Sequence, residues 1–161
     1  MQIINNIFSL VHSKRLTQID RFRSNPKEVQ SEQLNYLLTR AADTEFGRKY
    51  DFKTIKSADE YRSRVPIRDY DSLMPEVIRL RQGEEDLLWP GEIKYFAKSS
   101  GTTSSRSKFI PVSKDALVKC HYQGGRDTVL IYNELSPDNK LMSGKTLTLG
   151  GSHQINSFSN K

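Results

Sequence analysis

The sequence holds one cysteine, one tryptophan and no long apolar run. A single thiol, Cys120, cannot close an internal disulfide, so packing must hold the fold and a reducing compartment is the expected setting. No stretch approaches the ~20 apolar residues of a membrane span. The opening MQIINNIFSLVHSKR places its basic residues after its apolar ones and is interrupted by Asn5 and Asn6, the wrong order for a secretory signal. These absences together point to a cytoplasmic chain with no membrane partner. His12, His121 and His153 are scattered, with no partner at ligand spacing, so no metal ligands are expected. His121 adjoins Cys120, but neighbours on a helix point about 100° apart, which disfavours a thiol–imidazole pair.

Charge of one sign is also missing as a block. The net charge is +6, from 25 Lys and Arg against 19 Asp and Glu, and the isoelectric point is about 9.4. Dispersed in this way, the excess describes a solvated surface and gives no stripe for nucleic acid. The cations outnumber the acids most clearly after residue 98, which suits a bound anion. The 161 residues match one domain, and a mean hydropathy of −0.65 predicts a modest core.

What is present is helical at the front. Ile4, Phe8, Val11, Ile19 and Phe22 recur at helical steps and predict one long helix over 2–23. SNP then stops it, and Pro26 suits the first turn of the next helix, whose apolar face is Leu34, Leu37, Leu38 and Ala41. TEFGRKYDF (44–52) reads as a turn centred on Gly47. SADE (57–60) has capping-box spacing and opens a helix ending before Pro66. A further helix spans 69–81, broken or delayed by Pro75. WPG (89–91) is a rigid corner, with Trp89 a packing anchor. Arg62, Arg64 and Arg68 suit ion pairs with Asp59, Asp69 and Asp71.

Beyond the corner the pattern changes. EIKYFA and KFIPV are short strand-like runs, SKDALVKCHYQGGRDTVLIYNEL (113–135) resumes helical spacing across Gly124 and Gly125, and KTLTLGG (145–151) reads as a third strand. The fold class is therefore α/β: a helical N-terminal segment, about 1–90, followed by the start of a mixed sheet over 91–161. With so few strands, that sheet is expected to be incomplete.

The two strand-like runs are joined by SSGTTSSRSK, Ser99 to Lys108, in which seven of ten residues are Ser or Thr. Hydroxyls, a glycine that permits a tight turn and a terminal cation are the parts a phosphate-holding loop needs. The residues flanking Lys108 are Ser107 and Phe109, which excludes the Walker A pattern, and one glycine is too few for a dinucleotide fingerprint. A loop of about ten residues between adjacent strands is uncommon without a purpose, yet composition alone stops at an anion loop.

SSGTTSSRSK resembles the signature loop of the adenylate-forming superfamily. The stretches TEFGRKYDF, YRSRVPIRDYDSLMP (61–75), GEEDLLWPGEIKYFAKSSGTT (83–103) and KFIPVS (108–113) resemble, in order and spacing, the Gretchen Hagen auxin-responsive family of acyl-acid amido synthetases. The resemblance covers about residues 30–135. It implies an ATP- and Mg²⁺-dependent ligase that adenylates a carboxylic acid and passes the acyl group to an amine such as an amino acid. It implies that Ser99, Ser100, Gly101, Thr102 and Thr103 hold ATP phosphate oxygens, with Lys108 in the place of the motif's catalytic lysine. The helix after the loop lines the acyl pocket in that family, which implicates Tyr122 and Arg126. The motif's later glycine is replaced by Ser104-Ser105. Because such enzymes run to several hundred residues, the chain is expected to be the N-terminal part of one adenylate-forming domain, without a C-terminal domain and inactive alone. Two other readings stay open: a non-catalytic nucleotide- or partner-binding scaffold derived from that fold, and a nucleic-acid module with steep salt dependence.

Overall fold

The computed structural model describes residues 2–99, 107–141, 145 and 147. It is mostly helical, with a small two-stranded antiparallel sheet among these residues. The front consists of α1 (Gln2–Val11), α2 (Ser13–Ser24), α3 (Pro26–Ala41), α4 (Glu45–Lys49), a 3₁₀ turn (Phe52–Thr54), α5 (Ala58–Arg64) and α6 (Tyr70–Arg81). Strands β1 (Tyr95–Lys98) and β2 (Phe109–Val112) follow. Then come α7 (Lys114–Ala116), a π-helical stretch (Leu117–Tyr122) and α8 (Gln123–Leu135). The third strand expected over 145–151 lies outside the described residues, apart from 145 and 147.

The local signals act where expected at several helix starts. Pro26 opens α3, where its missing N–H costs no helical bond. Ser57 Oγ accepts from the Glu60 amide at 3.2 Å, and Glu60 Oε2 accepts from the Lys56 amide at 2.8 Å. That is a capping box shifted back by one residue. Asp69 Oδ1 accepts from the Ser72 amide at 2.9 Å, and Ser113 Oγ from the Ala116 amide at 3.1 Å.

Three expectations are corrected. The long first helix is two helices, because the backbone leaves the helical range at His12 (φ −106°, ψ 15°). There the Arg15 amide turns tightly onto the His12 carbonyl at 2.8 Å. TEFGRKYDF is not a turn about Gly47 but a short helix, α4, capped by Thr44, with Gly47 buried inside it. Helix α6 runs through Pro75 unbroken.

Two apolar clusters make the core. The first joins Leu38 and Ala41 of α3 to Ala42, Phe52 and Ile55, with Phe46, Tyr50 and Tyr61 packed around them. Phe46 meets Phe52 edge-on, centroids 5.8 Å apart. Leu34 is partly buried and Leu37 exposed, so the α3 stripe is narrower than its spacing suggests. The second cluster joins Leu80 of α6 to Leu87 and Ile93, with Phe96 of β1 beside them. Trp89 packs against both clusters, which makes it the anchor its sequence position suggested. The WPG corner is held by Asp86, whose Oδ1 accepts from the Gly91 amide at 2.7 Å, and Gly91 takes φ 76°.

The front helices also grip the last one. Arg15 of α2 makes a two-pronged pair with Asp127 of α8, Nε to Oδ1 at 2.9 Å and Nη2 to Oδ2 at 2.5 Å. Asn5 of α1, buried, donates from Nδ2 to the carbonyls of Pro137 and Asn139 at 2.9 and 3.0 Å. Two of the three arginines expected to pair locally reach elsewhere. Arg62 does pair with Asp59 at 2.6 Å, but Arg64 goes to Asp51 at 3.7 Å and Arg68 to Glu76 at 2.7 Å. Longer reach lets each guanidinium find a carboxylate on a packed neighbour or a full turn and more away.

Two outcomes test this fold. A Cβ at Gly47 would overlap the Ala41 carbonyl oxygen and stand 2.9 Å from the Ala42 carbonyl oxygen, whereas one at Gly124 meets nothing within 4 Å. Gly47→Ala should cost about 3 kcal/mol or more, and Gly124→Ala should add about 0.5–1 kcal/mol, both read by denaturant unfolding. The Asp127 and Glu76 carboxyls are held below the usual carboxylate range, first by hydrogen bonds from Arg15 and Arg68. A depressed folded-state pKa stabilises fully above the unfolded value, about 4, and the contribution is lost as pH falls through the folded value. Asp127→Asn should therefore cost about 1–2 kcal/mol at neutral pH and flatten the stability decline on acidification below pH about 4. A variant whose acid profile superimposes on the native one would show that the pair contributes nothing.

Candidate phosphate-loop site

The hairpin that carries the Ser/Thr-rich loop is built in register, Lys98 opposite Phe109 and Tyr95 opposite Val112. The ladder continues one residue past β1. The Ser99 amide donates to the Lys108 carbonyl at 3.0 Å, and the Lys108 amide donates to Ser99 Oγ at 3.0 Å. Ser99 and Lys108 thus close the mouth of the loop from opposite strands. Of the sequence-derived site residues, these two are brought together. Ser100, Gly101, Thr102 and Thr103 lie outside the described residues.

Helix α6 braces this mouth. Tyr70 Oη accepts from the Phe109 amide at 2.8 Å and lies 3.3 Å from the Phe109 carbonyl, to which it donates. The Lys108 ammonium sits 5.3 Å from the centre of the Tyr70 ring, within cation–π range. At the other end of α6, the Arg81 guanidinium stacks over the Phe109 ring at 4.2 Å. Asp69 is held below the usual carboxylate range chiefly by the amide and hydroxyl of Ser72, with a smaller contribution from the charge of Lys108.

The acyl-pocket candidates stand apart from this mouth. Tyr122 ends the π-helical stretch and is exposed, its ring 5.4 Å from that of His121. Arg126 is also exposed, on the first turns of α8. No hydrogen bond or ion pair among the described residues links either to Ser99 or Lys108. Tyr36, on α3, was not singled out in the sequence, yet its ring lies 4.2 Å from the Lys119 ammonium. Tyr36, Leu37, Trp89 and exposed Cys120 line part of a groove of about 190 Å³ between α3 and the π-helical stretch. Tyr70 was likewise missed as a site residue. It stood inside a stretch quoted for its resemblance, but no local pattern marks a hydroxyl that meets a backbone so far along the chain.

The N-terminal domain of the GH3 family matches residues 15–157, most of the chain. The chain belongs to the GH3 family. The resemblance read from the loop and its flanking stretches is therefore borne out. Among GH3 relatives in Arabidopsis thaliana, the indole-3-acetic acid-amido synthetase GH3.2 is 31% identical over 105 residues, 65% of this chain and 19% of its own. The putative indole-3-acetic acid-amido synthetase GH3.9 is 30% identical over 141 residues, 86% of this chain and 23% of its own. Among solved structures, a GH3.15 acyl acid amido synthetase superposes with a TM-score of 0.66 at 26% identity, over 81% of this chain and 23% of that one. A second GH3.15 structure, in complex with 2,4-DB, gives 0.62 at 25% identity, over 73% and 21%. The chain spans about a fifth of the length of these relatives.

The residues at the mouth fit a polyphosphate by the chemistry of their donors. Ser99 Oγ accepts from a backbone amide, which leaves its own proton to donate. Lys108 is exposed and no carboxylate among the described residues lies within ion-pair distance of its ammonium. No group of three metal-ligating side chains, and no helix long and apolar enough to cross a membrane, is found among the described residues.

Proposed function

We propose that this chain is the N-terminal part of one adenylate-forming domain in an ATP-dependent acyl acid amido synthetase of cytoplasmic location, and that Ser99–Lys108 is its phosphate loop. Its substrates are a small carboxylic acid and an amine such as an amino acid. Family membership supports the activity class, and the loop mouth closed by Ser99 and Lys108 is the observation that supports its assignment to phosphate. ATP, with Mg²⁺ on its phosphate oxygens, supplies the activated phosphorus and the pyrophosphate leaving group.

The chain's own residues do three things. The hydroxyls of Ser99, Ser100, Thr102 and Thr103 donate to phosphate oxygens, with Gly101 allowing the main chain to approach closely. The Lys108 ammonium, fixed at the start of β2, offsets negative charge that grows as the acid carboxylate attacks. On the exposed face after the loop, Arg126 and Tyr122 orient that carboxylate. Ser99 and Lys108, paired across the mouth, need little reorganisation during the reaction, which is why the strand pair suits the task.

Exchange of labelled pyrophosphate into ATP, run with the complete protein and a panel of carboxylic acids, tests this reading. Lys108→Ala should reduce exchange about 100-fold, and Gly101→Val should reduce it as well, with the far-ultraviolet circular dichroism unchanged. Native exchange rates in both variants would remove the loop from the chemistry.

A further inference from the structure

We infer that Tyr70 is a positioning residue for the phosphate loop, holding both the exit strand and the lysine at its end; this rests on the phosphate-loop reading. Ser99 and Lys108 face each other as a hydrogen-bonded pair, at least through the Ser99 amide and the Lys108 carbonyl. Antiparallel pairs alternate, so at the next pair, Lys98 opposite Phe109, the backbone groups point away from the partner strand. The N–H and C=O of Phe109 therefore face the outer side of β2, which no strand pairs among the described residues. In a wider sheet another strand would take them. Here one atom takes both: Tyr70 Oη accepts from the amide at 2.8 Å and donates to the carbonyl at 3.3 Å.

The same side chain does a second thing one residue earlier. Its ring lies 5.3 Å from the Lys108 ammonium, on the side of the loop mouth supplied by α6. Asp69, beside Tyr70, has its carboxyl pKa lowered mainly by Ser72 and slightly by the Lys108 charge. The position is fixed at its base, since Asp69 caps α6 through the Ser72 amide and Arg68 pairs with Glu76 eight residues on. Tyr70 thus ties the place where the loop ends to the place where its charge sits. Removing the ring frees the ammonium to other rotamers; removing the hydroxyl frees the strand that carries it.

A double-mutant cycle separates positioning from mere stability. ATP affinity of the complete protein is measured by titration calorimetry for the native form, Tyr70→Leu, Lys108→Ala and the double variant. If Tyr70 acts through Lys108, Tyr70→Leu weakens ATP binding about tenfold with the lysine present and less than about twofold without it. Equal factors in both backgrounds overturn the inference. Tyr70→Phe, which keeps the ring and the fold, should speed hydrogen exchange at the Phe109 amide about tenfold; unchanged exchange overturns the hydroxyl's part. Should Tyr70→Leu fail to fold, the cycle is run with Tyr70→Phe, expected to weaken binding about threefold with the lysine present and less without it; equal factors again overturn it. If Lys108→Ala leaves both ATP affinity and pyrophosphate exchange unchanged, the phosphate-loop reading itself fails and the inference with it; if only affinity is unchanged, the positioning role through Lys108 is lost. If Lys108→Ala weakens binding and neither Tyr70 variant does, only the positioning role is lost.

Discussion

Helix α4 has only five residues, too few to stand alone in water, and its first turn is completed by the chain far downstream. The amides of Glu45 and Phe46 donate to the carbonyls of Asp86 and Leu87 at 2.7 and 2.9 Å. The third amide, of Gly47, donates to Thr44 Oγ1 at 3.0 Å. Every early N–H that a helix leaves unsatisfied is thus taken, two of them by tertiary contact. Arg79 reinforces the junction by reaching both carboxylate oxygens of Glu45, at 2.8 and 2.7 Å, while also binding Glu84. Once residues 86 and 87 are fastened to α4, Leu87 and Trp89 are delivered to the core, and the corner that launches β1 has a fixed origin.

The hairpin inherits its position from that junction. Phe96 of β1 packs on the cluster that Leu80 and Leu87 begin. An isolated pair of strands is marginal in water, so β1 and β2 depend on α6 for a floor. Helix α6 supplies it twice over, apolar contact through Leu80 and polar contact through Tyr70, with Arg81 stacked on Phe109. If Ser99–Lys108 holds phosphate as proposed, such a mount helps, because Ser99 and Lys108 at its mouth lose little freedom when a ligand arrives.

The grip of the first helices on the last has the same character. Arg15 and Asp127 stand partly shielded, and Asn5 is buried against the carbonyls that follow α8. Together they draw α1, α2 and α8 into one packed unit, so the helical front and the segment after the hairpin share contacts directly. Tyr122 ends the π-helical stretch and Arg126 sits on α8 just after it, so both ride on the segment so anchored. π-Turns of this kind recur where a helix must re-aim side chains.

Much of this was legible within short windows of sequence. Ser57 and Asp69 mark helix starts because a cap acts on amides three residues away, and Pro26 because its fixed φ and missing N–H suit a first turn. EIKYFA and KFIPV mark strands because aromatic and β-branched composition is local. The loop's chemistry lies in its own hydroxyls and lysine, and the family was visible in the motifs around it. What the sequence determined by itself was therefore the starts of α3, α5 and α6, the two strands and the family. Tertiary structure alone decided that Gly47 sits inside a helix pressed on the Ala41 and Ala42 carbonyls, and that the first helix breaks at His12. It decided that Arg64 and Arg68 choose Asp51 and Glu76, and that Tyr70 takes both backbone groups of Phe109. The physical reason is distance along the chain: caps and turns are satisfied by neighbours, whereas an orphan amide or a long guanidinium is satisfied by whatever packing brings near.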